Sequence, residues 1–342
     1  MLHERILAKY GLTDARLIAA EKGYRNESYA AALPDGRQVN IIIYKREAGI
    51  LATLRRANLV GDYLAAQDFP ARRLADVRII LLGSGCRMRY AALYEYLPGH
   101  TIPWDNYTME RLKQLGAIMS TMHQLLKHAP FTLENQVVAE YTAITARMQK
   151  YFMDNGVQQA MHTKLGLEAR VPQSFFKLLA GSAALPHQQP LHMDFVRGNI
   201  LFDNAANITG VLDFEKASQG HPLFDIARTT AFLLVDCRYK TPSQIHKYFL
   251  ISGYNKRGTG DFKLTAANAR LLEQLIDLFL FYDFYKFLRH NPYESLLENE
   301  HFVRTRALLL QRQLLAKTSK NPHTNTAEGE QLLWQPLGKN GL

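Results

Sequence analysis

Cysteine is almost missing from this chain: Cys86 and Cys237 are the two among 342 residues. Two thiols cannot make a disulfide framework, so a reducing compartment is the simpler expectation. Long apolar runs are missing too. The richest stretch, 278–288, is interrupted by Asp283 and Lys286 and falls short of the roughly 20 apolar residues that span a bilayer. No apolar run follows the basic residues of the opening MLHERILAKYGL, so no secretory signal is expected. Glycine (21) and proline (13) are too few for a collagen-like chain. A cytoplasmic protein without a membrane partner is the expectation. What the chain does have is a 47% hydrophobic composition, enough for a sizeable core in one large domain or two ordinary ones. Lys and Arg number 41 against 31 Asp and Glu, a net charge of +10. These basic residues are scattered, without the aromatic interleaving of RNA-binding modules, which argues against nucleic acid as a partner.

The first third reads as strands. Short β-type runs cover 16–21, 27–33 and 37–45, the last two joined by the turn Pro34-Asp35-Gly36. Two more runs, 77–82 and 88–97, flank Gly83-Ser84-Gly85, which reads as a hairpin turn. Between the two groups, 54–66 repeats its apolar residues at helical spacing. After Leu97-Pro98-Gly99 the periodicity changes to helical, over 107–127, 137–152, 173–180, 243–253, 266–290 and 298–316, with one β insertion at 192–214. The aromatic cluster from Phe279 to Phe287 is expected to be a core helix and not a ligand box. The predicted fold is α+β, with a small antiparallel β-rich lobe over 1–96, a larger helical lobe over 97–316 and a loose polar tail over 317–342.

The chemistry concentrates in one segment. His192-Met193-Asp194 is followed by Asn199, an H-x-D-x-x-x-x-N pattern. Beyond Asn199 come an apolar run, a turn at 203–207 and a second run ending in Asp213 and Phe214. A short hairpin there brings Asn199 and Asp213 side by side. Phosphoryl transfer needs hard oxygen ligands for a divalent metal, such as an amide and a carboxylate, and a further carboxylate to take the acceptor's proton.

With its context, this segment resembles the aminoglycoside phosphotransferase and choline kinase superfamily, which has a bilobal protein-kinase-like fold. Gly23-Tyr24-Arg25-Asn26-Glu27 is similar to that family's first hairpin, Glu95-Tyr96-Leu97-Pro98-Gly99 to its hinge, and Gly220-His221-Pro222-Leu223-Phe224-Asp225 to the segment after the metal aspartate. The resemblance implies an ATP- and Mg²⁺-dependent kinase acting on a hydroxyl of a small molecule. It implies Asp194 as catalytic carboxylate, His192 as a loop-orienting residue, Asn199 and Asp213 as Mg²⁺ ligands, and Asp225 as a brace of the loop. Asn26, Lys45, Glu95, Tyr96 and Leu97 are the implied nucleotide-binding residues. Two departures stand out. Ile42 occupies the strand-three position usually held by a basic residue, and the helix near 55–58 lacks the partner glutamate. Lys45 is then the first candidate for the phosphate-gripping cation and Arg25 the second. A pseudokinase acting as an interaction module and a protein kinase are the alternative readings, although nothing after Asp213 resembles a protein-kinase activation segment. Glu215 and Asp283 are read either as contacts for a cationic substrate or as paired side chains.

Overall fold

A computed structural model describes residues 2–22, 26–83, 88–257 and 264–318. Along the chain run α1 (Leu2–Lys9), β1 (Arg16–Lys22), β2 (Glu27–Ala32), β3 (Gln38–Tyr44), α2 (Ile50–Ala65), β4 (Leu74–Leu82) and β5 (Arg89–Glu95). Then come α3 (Met109–Leu126), α4 (Val137–Phe152), α5 (Asn155–Ala160), β6 (Leu167–Ala169), α6 (Gln173–Ser182), β7 (Gln189–Leu191), β8 (Ile200–Phe202), β9 (Ile208–Val211) and β10 (Ser218–Gly220). The chain continues through α7 (Leu223–Asp236), α8 (Pro242–Ile245), α9 (Ala266–His290), α10 (Glu300–Gln311) and β11 (Leu315–Lys317). It divides into two compact units. One comprises Met1–Thr101 and Gly198–Ala217, the other Ile102–Arg197 and Ser218–Leu342.

The first unit is built on an antiparallel sheet of order β1-β2-β3-β5-β4. Side chains alternate along a strand, so β3 feeds two cores. Val39, Ile41 and Ile43 face α1, where Ile6, Leu7 and Tyr10 meet them; Ile42 and Tyr44 face Ile50 and Leu54 of α2. The β8–β9 hairpin joins this unit through the backbone. His100 and Phe202 exchange two hydrogen bonds of 2.9 Å, and Val211 bonds to Pro70 at 2.7 Å and to Arg72 at 3.1 Å. A single cut at 96/97 therefore does not describe the division. The hairpin lies in the helical half of the sequence but completes the β-rich unit.

The second unit is helical. α9 is its central helix, with Phe279, Phe281 and Phe284 fully buried, and α7 packs along it. The helix expected over 243–253 begins as α8 and continues as a π-helix over His246–Asn255 packed on α3. The helix expected over 298–316 is α10, which stops at Gln311, and β11 then pairs with β6. Lys317, assigned to the loose tail, thus belongs to a strand, while 319–342 lie outside the described residues. So do Ser84 and Gly85 of the expected turn. Among the described residues no helix is long and apolar enough to cross a membrane.

Candidate active site

A cavity of about 440 Å³ opens in the first unit, and all its lining residues belong to that unit. Glu95, Tyr96 and Leu97 form one wall; Asn199 and Asp213 form another, with Asn26 and Ile42 between. The hairpin explains the second wall. Ile200 pairs with Val211, and the Leu212 amide donates to the Asn199 carbonyl at 2.8 Å, so the residues just outside the ladder are neighbours. Asp213 sits at φ 59°, in the left-handed region that a non-glycine residue seldom occupies. There its Oδ1 accepts the Glu215 amide at 3.2 Å. An amide and a carboxylate on one wall suit Mg²⁺, which takes one or two protein oxygens and leaves its other positions to phosphate and water.

On the first wall, the Tyr96 amide is committed to the Gln38 carbonyl at 3.3 Å, and the Glu95 carboxylate to Arg73 at 2.6 Å. The Leu97 amide donates to nothing among the described residues. Gly99 closes this wall at φ 128°, and a Cβ there would run into Thr209 and the Phe202 carbonyl, so only glycine lets the chain lie against the hairpin.

His192 and Asp194 lie in the second unit, on the loop between β7 and the 197–199 turn. Asp225, at the start of α7, is 1% exposed and accepts the amides of His192 at 2.8 Å and Met193 at 2.6 Å. Its other partner is His123 Nε2 at 3.1 Å, and His123 Nδ1 meets the Tyr254 hydroxyl at 2.7 Å. Burial pushes the Asp225 carboxyl up, but the His123 hydrogen bond and the donated His192 amide help bring it below the ordinary carboxylate range. The buried His192 ring accepts the Asp194 amide on Nδ1 at 3.1 Å, and Thr229 Oγ1 donates to the Phe195 carbonyl at 3.2 Å. Met193, at φ 61°, turns the loop. Asp225 and Thr229 thus hold the loop through its backbone amides and carbonyl.

Residues 16–247, well over half of the chain, match the model of the phosphotransferase enzyme family APH. The chain belongs to that family. That membership makes it an ATP-dependent phosphotransferase. Solved structures of similar fold include an amicoumacin kinase in complex with AMP-PNP and Ca²⁺ (TM-score 0.63, 15% identity, covering 91% of this chain and 94% of that one). A microcompartment-associated aminopropanol kinase gives TM-score 0.63 at 16% identity, over 92% and 97% of the two chains. Choline kinase from Cryptosporidium parvum gives 0.54 at 13%, over 88% and 91%. These likenesses establish the kinase-like α+β fold. No curated protein matches the sequence.

Within the phosphotransferase, four of the five expected nucleotide-binding residues, Asn26, Glu95, Tyr96 and Leu97, line the cavity. Lys45 does not. It is exposed just beyond the end of β3, where strand alternation turns it away from the side of Ile42, and its amide lies 3.4 Å from Asn26 Oδ1. Gly23 to Arg25 lie outside the described residues. Asp283 is no substrate contact: it is 2% exposed and holds Arg228 with both oxygens at 3.1 Å and Lys286 at 2.7 Å. Glu215 does line the cavity, where its Oε1 accepts Asn26 Nδ2 at 3.1 Å.

Sequence reasoning missed what replaces the lysine–glutamate pair. Ile42, 4% exposed, packs where the lysine would stand. Beside it the Tyr44 and Tyr94 hydroxyls lie 2.7 Å apart, and Tyr94 donates to Asn58 Oδ1 on α2 at 3.0 Å. Burial, more than any neighbour, pushes the Tyr94 phenol up to about 12 and raises that of Tyr44 well above its ordinary value. A neutral relay ties α2 to the sheet where kinases use an ion pair. Arg72 is the other omission: it lines the cavity from a loop that carries no periodic signal.

Proposed function

We propose that the enzyme binds Mg-ATP in the first-unit cavity and transfers the γ-phosphoryl group to a hydroxyl of a small molecule. The carrying observation is the hairpin that sets Asn199 and Asp213 on one wall of the cavity whose other wall is the Glu95–Leu97 segment. The unused Leu97 amide is suited to an adenine ring nitrogen. Asn199 and Asp213 are the oxygen donors for the metal, which supplies charge neutralisation of the phosphate oxygens when bound. Asp194 accepts the acceptor's proton as the hydroxyl oxygen bonds to the γ-phosphorus and the bond to the β-phosphate oxygen breaks, leaving ADP. His192 and Asp225 position Asp194 by holding the loop backbone that carries it. The family match supports a small molecule as acceptor, and nothing after Asp213 resembles the activation segment of a protein kinase.

A screen for ATP consumption against amino alcohols, sugars and aminoglycosides tests the reaction. On a substrate it identifies, Asp194→Asn is expected to lower turnover roughly 10²–10⁴-fold, with Mg-ATP affinity near that of the parent. Unchanged turnover would remove Asp194 from the chemistry.

A further inference from the structure

We propose that Arg72 is the cation that grips the nucleotide phosphates, in place of the absent strand-three lysine; this rests on the nucleotide reading of the cavity. A triphosphate brings several negative charges into a cavity whose lining already carries Asp213, Glu215 and Glu95. A divalent metal neutralises only part of that charge. Among the described residues of that lining, Arg72 is the one lysine or arginine.

Its placement is built from both neighbouring elements. The Arg72 amide donates to the Val211 carbonyl at 3.1 Å, which ties the residue to the strand that ends beside Asp213. Gly61 of α2 lets the Arg72 carbonyl pass where a Cβ would collide with it. The guanidinium lies 5.6 Å from the centre of the Tyr94 ring, on the sheet face that Ile42 shares. That ring is itself fixed by its hydroxyl, which meets the Tyr44 hydroxyl and donates to Asn58 Oδ1. Among the described residues the guanidinium has no carboxylate partner and makes no hydrogen bond. Its five N–H donors, in a planar fork that matches phosphate oxygens, are available. The competing cations are otherwise engaged: Arg73 pairs with Glu95, Arg56 Nη2 donates to the Glu215 carbonyl at 2.9 Å, and Lys45 is off the wall. The cation has moved from the strand to the loop before β4, and Ile42 fills the room it left.

Calorimetry of Mg-ATP and of adenosine, on the parent, Arg72→Met and Arg72→Lys, tests this. Arg72→Met is expected to weaken Mg-ATP roughly 10–100-fold, the range for a charged hydrogen-bonding group, and to leave adenosine unchanged. Arg72→Lys keeps the charge and loses the fork, so its loss should fall between. Equal loss for both ligands would reduce Arg72 to a structural residue, and no loss for Mg-ATP would overturn its role outright. Should Arg72→Met fail to fold, Arg72→Lys decides by the same comparison. A parent that binds neither ligand would overturn the nucleotide reading itself, and this proposal with it.

Discussion

His221 is 7% exposed, and its Nδ1 accepts the Leu223 amide at 3.2 Å, so the neutral ring is the one that packs at the start of α7. Burial first, then the neighbouring His187 and His123, push its imidazole down from 6.5 to about 4. Between those values the unfolded chain carries a proton at this position and the folded chain does not. Stability therefore falls as pH falls from about 6.5 towards 4, and this contribution levels off below that. Asp225 acts in the same sense but in a lower window. Its lowered carboxyl adds stability that is present above the ordinary carboxylate range and is lost only as pH falls through its folded value. The two windows barely overlap, so they can be separated. His221→Asn keeps an acceptor for the Leu223 amide but does not titrate. Urea unfolding at pH 7 and pH 5 should show a smaller loss for that variant than for the parent; equal losses would show that His221 does not set the slope.

Elements were legible in proportion to their asymmetry. α4 and α9 follow the sequence expectation from first residue to last, because the apolar spacing and flanking breaks of each are strong. α7 was not expected at all. Twelve of its fourteen residues are buried, among them Asp225, Arg228, Thr229 and Thr230, so no face differs from another and the period disappears. α1 did carry a signal, Leu2, Ile6 and Tyr10 at helical spacing, that was read only as the lack of a secretory segment. The π-helix at 246–255 shares its residues' preferences with an α-helix, and local sequence does not separate the two. In the site, the H-x-D-x-x-x-x-N loop and hairpin were legible as local patterns. Arg72 was not, since it reaches the cavity from a loop 30 residues beyond Ile42. The α7–α9 contact depends on the buried pair of Arg228 and Asp283. Arg228 is enclosed by Phe232, Phe279 and Tyr282; burial opposes its charge, and Asp283 first, with Tyr141 and Asp194, more than restores it. Arg228→Met should cost about 3–5 kcal/mol by stranding Asp283. Lys286→Met, which removes the half-exposed partner, should cost about 1 kcal/mol or less. Adding Asp283→Leu to Arg228→Met should recover much of the loss, and denaturant titration of the three variants checks the order.

At the scale of the whole molecule, the chain passes between its two units at 101/102, 197/198 and 217/218. The first unit is therefore not a contiguous piece of sequence. A fragment ending at Thr101 would expose the edges at His100 and at Pro70–Arg72 that the β8–β9 hairpin pairs, and would lack Asn199 and Asp213. Such a fragment is expected to show poor amide dispersion by NMR and no Mg-ATP binding. Appending residues 198–217 through a short glycine-rich linker should restore both. A fragment that binds without the hairpin would refute this account of the unit.

The exchange of a lysine for an isoleucine also changes what the cavity can react with. A lysine amine, in its neutral form, is a nucleophile and a target of acetylation. No described residue of this wall is a lysine, and a guanidinium, held protonated by its very high pKa, does not acylate under the same conditions. If Arg72 holds the phosphates as proposed, lysine acylation is expected to leave the described lining of the cavity unmodified.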